Sequence, residues 1–357
     1  MAALAALAAL HGCIDVPGTT EGGPCNAKDM CTKGLVCEEG ICKLEGATTW
    51  ELMTTPRTET LRGVWGTSDT DVIAVGDNGV ILRYTGGAEW HVDADGMAAA
   101  AEGALRGVWG WSGNDIWVVG SPRSGGGGLI LHWGTTWGKQ PAIKDPANPT
   151  KDLPISSLSG VAGAPGAPLY VVGYGNSTGL VLKLDKATWS VENASVTYQP
   201  TGLAVAGTQV FVSGTTKAVR YFDGTSWGER ALPGSTQLSL YAVYAWDESN
   251  VIAGGSAGSG SGKLVRFDGS AWEDPAFESV KSFQIYGVWG ATPQDYFVVG
   301  EGGGYGTATS VLRCTGSGCS PNTVPEEAKG KQLNAVWGTE TTVFAVGENG
   351  VILRRTK

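Results

Sequence analysis

The sequence predicts an all-β fold, a seven-bladed β-propeller of four-stranded antiparallel blades, from three observations. A motif occurs seven times in the 357 residues, as Leu-Arg-Gly-Val-Trp-Gly in the first two copies and in weaker forms in the other five. Its copies lie about 45 residues apart, which is the length of one propeller blade. Each copy is followed by short β-branched runs, and turn residues lie between these runs, as expected for strands. The copies are 61–66, 105–110, Leu158–Gly163, Leu203–Gly207, Leu240–Ala245, Ile285–Gly290 and Leu333–Gly338.

The first repeat contains the elements of one complete blade. Leu61–Gly66 is the first strand and the β-branched run Val72–Gly76 is the second. Asn78-Gly79 supplies the positive φ angles of a tight hairpin turn, and Val80–Tyr84 follows as the third strand. A further turn leads to a fourth strand around Trp90. Three tight turns therefore join four antiparallel strands.

The last repeat ends at Lys357, one strand short of a complete blade. The segment 48–52 resembles the fourth strands of other repeats, because it also centres on a tryptophan, Trp50. We therefore expect the propeller to span 48–357 and the N-terminal strand to complete the seventh blade. Closing the ring in this way removes exposed sheet edges.

Two sets of side chains recur at equivalent positions in the repeats. The tryptophans of the Trp-Gly pairs are predicted to pack between blades rather than to form an aromatic cage for a cation or a sugar. The third strands carry basic or imidazole side chains, which point in different radial directions in a ring. We expect these side chains to pair with carboxylates of the neighbouring blade. They are Arg83, His132, Lys183, Arg220, Arg266, Arg313 and Arg354.

The N-terminus resembles the signal peptide of a bacterial lipoprotein. Met1–Leu10 contains Ala and Leu after the initial Met, and Leu10-His11-Gly12-Cys13 matches the cleavage box. This resemblance implies a signal peptide over 1–12, a lipid on Cys13, a flexible tether over 13–23 and a place in the cell envelope, facing the periplasm or the exterior. The segment lacks the usual positive start, so an ordinary Ala-rich helix is the alternative.

The remaining cysteines predict disulfides, as in an exported protein. Cys25, Cys31, Cys37 and Cys42 lie within a segment, 24–44, that is too short to bury a core of its own. Their three possible connectivities stay open, and we favour Cys25–Cys37 with Cys31–Cys42 over a zinc site. Cys314 and Cys319 are predicted to bridge a tight turn in the sixth blade.

Composition and motifs argue against several functions. The net charge is −9 and the chain has no basic block, so a nucleic-acid partner is not expected. No apolar stretch after the N-terminus is long enough to span a membrane, so the lipid is the expected membrane attachment. Three histidines and no recognisable catalytic motif predict neither a cofactor, a metal site nor enzymatic activity.

The connections predict where a ligand binds. In a propeller, the loops between the second and third strands, and those between blades, lie on one face. Here these loops vary widely in length, and variable loops on a rigid scaffold commonly carry function. We expect this face to bind a protein partner or an envelope glycan as a monomer, with Arg123, Asp145 and Tyr305 as contacts.

The repeat as a whole resembles the propellers of bacterial envelope lipoproteins. It is also similar to the BNR (Asp-box) repeats of sialidases, for example at 223–227, and to the propellers of photosystem II assembly factors. The resemblance implies a fold but no shared activity. We expect non-catalytic binding of a protein or assembly partner. The alternative is carbohydrate binding or glycoside hydrolysis, which needs two suitably spaced carboxylates.

Overall fold

The computed structural model describes 35–38, 41–44 and 50–356, apart from 125, 193–195, 235–237, 259–260, 303–309 and 317. The chain separates into two compact units, Met1–Ala47 and Thr48–Lys357. In the first unit, β1 (Leu35–Glu38) and β2 (Ile41–Leu44) form an antiparallel hairpin that places Cys37 opposite Cys42. Cys13, Cys25 and Cys31 lie outside the described residues, so the lipid and the cysteine connectivity stay predictions.

The second unit is built from antiparallel sheets of short strands. In chain order the strands are β3 (Glu51–Leu52), β4 (Leu61–Ser68), β5 (Asp71–Gly76), β6 (Ile81–Tyr84), β7 (His91–Val92), β8 (Ala104–Ser112), β9 (Asp115–Ser121), β10 (Leu129–Trp133), β11 (Trp137–Lys139), β12 (Lys144–Asp145), β13 (Asn148–Asp152), β14 (Ser157–Ala162), β15 (Leu169–Gly175), β16 (Thr178–Asp185), β17 (Thr188–Val191), β18 (Pro200–Ala206), β19 (Gln209–Thr216), β20 (Ala218–Phe222), β21 (Trp227–Ala231), β22 (Leu238–Asp247), β23 (Asn250–Ser256), β24 (Gly262–Phe267), β25 (Trp272–Glu273), β26 (Phe283–Thr292), β27 (Asp295–Gly302), β28 (Val311–Thr315), β29 (Gly318–Pro321), β30 (Leu333–Gly338), β31 (Thr342–Gly347) and β32 (Ile352–Thr356). The helix α1 (Ala94–Ala100) and 3-10 turns at Asp77–Gly79, Glu278–Val280, Glu326–Ala328 and Glu348–Gly350 lie between strands.

Neighbouring strands pair in sets of four. The sets β4–β7, β8–β11, β14–β17 and β26–β29 are separate meanders. The sets β18–β21 and β22–β25 are also meanders, and two residue pairs between β19 and β22 join them. The strands β30–β32 gain β3 as their fourth member, because Glu51 pairs with Arg354 and Leu52 with Leu353. The N-terminal strand therefore completes the last sheet.

The first strands of consecutive sheets lie side by side. Contacts join β4 to β8, β8 to β14, β14 to β18, β18 to β22, β22 to β26, β26 to β30, and β30 back to β4. Apolar side chains fill the space between neighbouring sheets. One such cluster joins Phe344 of β31 to Trp90 beside β7, with ring centroids 5.9 Å apart. The core is thus divided among the contacts between sheets, as in a β-propeller.

The Trp-Gly pairs form these contacts. A Cβ atom built on Gly110 would lie 2.8 Å from the ring of Trp65. The same relation joins Trp109 to Gly163, Trp289 to Gly338, and Trp337 to Gly66. Each tryptophan therefore packs on the glycine of the next sheet, where no side chain would fit.

The register corrects the position of the fourth repeat. Each first strand contains a β-bulge after its first motif residue, as between Leu61 and Gly63. In β18 the bulge falls between Pro200 and Gly202. The residue equivalent to Val64 is therefore Leu203 and not Val205. The motif copy starts at Pro200 and not at Leu203. The sequence misplaced it because this copy lacks the Trp-Gly pair.

The partners of the third-strand cations also differ from expectation. Arg220 contacts Glu229 at 3.1 Å and Arg354 contacts Glu51 at 2.6 Å, and each pair spans adjacent strands of one sheet. His132 and Arg313 likewise contact an aspartate of their own sheet. Arg83 and Lys183 contact the acidic residue that directly follows the last strand of their own sheet. The expected pairing with the neighbouring blade is wrong, because directly opposed side chains within a sheet are closer.

Candidate functional site

The bulges build a cavity. Each bulge leaves one residue of the first strand outside the regular ladder, at the second position of the motif. These residues line a single cavity of about 310 Å³ together with Ser157 and Gln199. They are Arg62, Arg106, Ser159, Thr201, Tyr241, Tyr286 and Asn334. Because the bulge lies near the beginning of the first strand, the cavity lies toward the face that carries the variable loops. We call it the central cavity.

Short side chains in the central cavity tie neighbouring first strands together. The Ser159 hydroxyl donates a hydrogen bond of 2.7 Å to the carbonyl of Pro200. The Thr201 hydroxyl donates one of 2.7 Å to the carbonyl of Leu240. The Asn334 amide donates one of 2.8 Å to the carbonyl of Leu61. The three accepting carbonyls occupy equivalent positions, so these side chains stabilise the joints between sheets.

Two arginines give one part of the wall a positive charge. Arg62 donates two hydrogen bonds of 2.7 Å to the carboxylate of Asp77, which raise the pKa of the guanidinium. This pair is nearly neutral and fixes the Arg62 side chain in place. Arg106 is exposed and forms no ion pair within the described residues. Arg106 therefore provides the uncompensated charge of the cavity.

Two tyrosines form another part of the wall. The rings of Tyr241 and Tyr286 stack with centroids 5.3 Å apart and planes inclined by 21°. The Tyr286 hydroxyl donates a hydrogen bond of 3.0 Å to Gln284. Burial raises the pKa of Tyr286, and the charge of Glu301 raises it further. The phenol therefore remains neutral at physiological pH, and the stacked pair offers a flat surface with a polar edge.

This arrangement suits binding better than proton-transfer chemistry. The side chains around the central cavity offer a cation, hydroxyls, amides and aromatic rings, but no carboxylate. Within the described part of the chain, no cluster of His, Cys, Asp and Glu could hold a metal ion. The sequence analysis did not identify this cavity. The available signal was the second position of the motif, which varies in chemistry while its neighbours repeat.

A second cavity, the side groove, lies on the same face beside the first. Its volume is about 390 Å³, and its lining is Arg57, Glu59, Asn78, Met97, Glu102 and Arg123. Arg57 pairs with Glu59, and Arg123 pairs with Glu102. The turn at Asp77–Gly79 separates the side groove from Arg62. The structure thus places Arg123 in the side groove, paired with Glu102.

Asp145, another expected contact, lies elsewhere. Asp145 ends β12, and its carboxylate accepts a hydrogen bond of 2.9 Å from the backbone of Ala147. It therefore shapes the β12–β13 hairpin and lines neither the central cavity nor the side groove. Tyr305 lies outside the described residues. Cys314 and Cys319 are joined by a disulfide with Cα atoms 3.9 Å apart.

Hydropathy gives one further result about the described residues. None of the helices among them has the length and apolar character needed to cross a membrane.

Comparison with known proteins supports the fold. No protein-family model and no curated protein matches the chain. A solved structure of YCF48 bound to D1 peptide is similar with a TM-score of 0.64 and 16% identity, over 88% of this chain and 96% of that one. YCF48 from Cyanidioschyzon merolae is similar with a TM-score of 0.61 and 16% identity, over 86% of this chain and 99% of that one. Virginiamycin B lyase from Staphylococcus aureus is similar with a TM-score of 0.63 and 9% identity, over 86% of this chain and 99% of that one.

These similarities extend over nearly the whole second unit and show a β-propeller. The identities are too low to transfer activity, and the similar structures differ in function. The WD40 propeller domain of Doa1 is a further example, with a TM-score of 0.60 and 11% identity over 86% of this chain and 97% of that one.

Proposed function

We propose that the chain is a seven-bladed propeller, closed by β3, that binds a protein partner without catalysis. The observation that carries this proposal is the convergence of the bulge residues on the central cavity, on the face with the variable loops. Arg106 supplies a free cation, and Tyr241 with Tyr286 supplies an aromatic wall. Arginine and tyrosine are enriched among the residues that dominate binding energy at protein interfaces.

The partner presents an extended segment to this face. A cavity of about 310 Å³ holds a few side chains but no folded domain. The side groove continues the surface past the turn at Asp77–Gly79, so a chain can lie across both cavities. The complex of the similar YCF48 propeller with D1 peptide supports a peptide ligand for this fold.

The test is a selection of random peptides on the full chain, followed by affinity measurement with variants. We expect the double substitution Arg106→Ala with Tyr241→Ala to weaken selected peptides at least about tenfold, or about 1.4 kcal/mol. Trp111→Ala is the matched control, because Trp111 is 38% exposed and lies at the other end of its strand. Equal affinity for all three proteins would refute the assignment of the site. If glycans compete for the cavity and no peptide is selected, the carbohydrate alternative replaces this proposal.

We further propose that a lipid on Cys13 attaches the protein to the cell envelope. The support is the resemblance of 10–13 to a lipoprotein cleavage box. Cys13→Ser removes the thiol that accepts the lipid, so the protein should move from the membrane pellet to the soluble fraction. Cys314→Ser serves as the control for a general effect of losing a cysteine. A Cys13→Ser protein that remains in the pellet would rule out this anchor.

A further inference from the structure

One third-strand cation breaks the pattern of the others. Six of these side chains contact a carboxylate, but Arg266 contacts none within the described residues. The position that holds Asp115 in β9 and Asp295 in β27 holds Asn250 in β23. Arg266 donates a hydrogen bond of 3.3 Å to the side-chain amide oxygen, Oδ1, of Asn250. Arg266 therefore forms no ion pair within the described part of its own sheet.

The Asn250 amide also engages an acid at the same end of the sheet, Asp247. Asn250 donates hydrogen bonds of 3.0 and 2.9 Å to the two carboxylate oxygens of Asp247. Asp247 additionally accepts a hydrogen bond of 2.7 Å from the backbone of Ser249. Asp247 is thus engaged with its own turn, and Arg266 remains available to a ligand.

Arg266 borders a cavity of about 240 Å³, at the end of the sheets opposite the central cavity. The other lining side chains include Glu273, Pro275, Phe277, Pro293 and Tyr296. The two prolines and Phe277 form an apolar wall. We call this cavity the outer pocket.

Tyr296 provides an unpartnered polar group in the outer pocket. The residue is 4% exposed, and its hydroxyl makes no hydrogen bond to any described residue. Burial raises the pKa of Tyr296 to about 12, so the hydroxyl keeps its proton and can donate. The hydroxyl itself is not enclosed by protein, so it is open to a ligand in the outer pocket. A guanidinium and a phenol therefore line the same small space.

Glu273 lies opposite Arg266 in the register of β24 and β25. The two side chains form no salt bridge, and Glu273 contacts no other cation in the described part of the chain. The outer pocket thus offers one positive and one negative group beside an apolar wall.

We propose that the outer pocket binds an α-carboxylate next to an apolar side chain. The carboxylate accepts hydrogen bonds from Arg266 and Tyr296, and the apolar side chain packs against Phe277 and the prolines. This chemistry belongs to a free apolar amino acid and to the C-terminal residue of a peptide. Glu273 distinguishes the two sources, because only the free amino acid brings an α-ammonium group for it to bind.

The experiment measures binding of L-phenylalanine, N-acetyl-L-phenylalanine and L-phenylalaninamide to the full, oxidised chain by calorimetry. The amide lacks the carboxylate and should bind at least tenfold more weakly than the better of the two acids. Preference for phenylalanine, lost in Glu273→Gln, identifies a free amino acid. Preference for the acetylated form identifies a peptide terminus. Equal binding of all three compounds, or no binding, overturns the proposal.

Two variants test the role of Arg266. Arg266→Gln should weaken the preferred acid at least tenfold, whereas Arg83→Gln, the equivalent change in β6, should leave its affinity unchanged. Asn250→Asp keeps Arg266 but gives it the carboxylate that other sheets provide, so it should also weaken binding. If Arg266→Gln and Asn250→Asp both fold and both retain the affinity of the unmodified protein, the assignment of Arg266 is overturned.

Discussion

At the scale of single residues, two exposed aspartates hold equivalent turns. Asp223 accepts hydrogen bonds of 2.8 Å from the backbones of Thr225 and Ser226. Asp268 accepts bonds of 2.8 and 2.9 Å from the backbones of Ser270 and Ala271. These hydrogen bonds favour the charged carboxylate. They lower the pKa of both aspartates from 3.8 to about 2, with the Thr225 hydroxyl the largest cause at Asp223 and the Ala271 backbone at Asp268.

We predict that both carboxyl groups titrate near pH 2 when their carboxyl carbons are followed by NMR. Because the pKa is lower in the folded state, their contribution to stability is present above pH 3.8 and is lost as the pH falls toward 2. Thr225→Ala should raise the pKa of Asp223 and leave that of Asp268 unchanged. A midpoint at 3.8 for Asp223 in the unmodified protein would contradict this account.

Residue types were easier to predict from the sequence than their partners. Six of the third-strand cations follow from the repeats, but in β20 the register places Tyr221 and not Arg220 at the equivalent position. The acid that each cation meets also depends on cross-strand register. Arg83, for example, contacts Asp93, which follows β7 and lies 10 residues further along the chain. Asp93 also caps α1 by accepting a hydrogen bond of 2.9 Å from the backbone of Gly96. A single sequence does not show that one side chain serves two roles.

At the scale of elements, the joints between sheets depend on a missing side chain. We predict that Gly110→Ala lowers the free energy of unfolding by about 1–3 kcal/mol, as overpacking does in other cores. The added methyl group would lie 2.8 Å from the Trp65 ring and 2.6 Å from the Asp115 carbonyl. Denaturant unfolding measures the change.

Gly228→Ala is the control for this substitution. Gly228 also lies in a strand, but an added Cβ would meet no atom within 4 Å. Its unfolding midpoint should match that of the unmodified protein. Equal midpoints for the Gly110 and Gly228 variants would show that the joint tolerates a methyl group.

The elements themselves were largely predictable, because alternating turns and β-branched runs repeat along the chain. The exceptions are the insertions between sheets. The hairpin β12–β13 and the helix α1 lie in connections that the sequence analysis left as loops. Their composition gives a weak signal, since Ala94–Ala100 includes a glycine and extends for only seven residues. The bulges that form the central cavity are marked only by the variable second position of the motif.

At the scale of the whole second unit, residues distant in sequence are packed together. Trp50, just before β3, is 3% exposed and packs edge-on against Phe297 with ring centroids 5.6 Å apart. Its indole donates a hydrogen bond of 3.1 Å to Asn322. We predict that Trp50→Ala lowers the free energy of unfolding by about 3–5 kcal/mol, as removal of a buried aromatic ring does.

Thermal unfolding followed by circular dichroism checks this prediction. Trp111→Ala is the control, since Trp111 is 38% exposed. If both variants unfold at the temperature of the unmodified protein, β3 does not contribute to the stability of the last sheet. The sequence could indicate this pairing because the final repeat lacks a strand. The central cavity, by contrast, was marked only by the variable second position of the motif.

At four of the seven bulge positions the side chain lines the central cavity and makes no hydrogen bond to a neighbouring sheet within the described residues. Leu61, Gly63 and Trp65 pack, whereas Arg62 between them faces the central cavity, and Arg106, Tyr241 and Tyr286 occupy the same position elsewhere. A codon change at one of these four positions alters the ligand surface without touching the joints between sheets. Related chains with the same frame can therefore diverge in binding preference through a handful of mutations. A combinatorial library at these positions would turn the scaffold into a source of new binders.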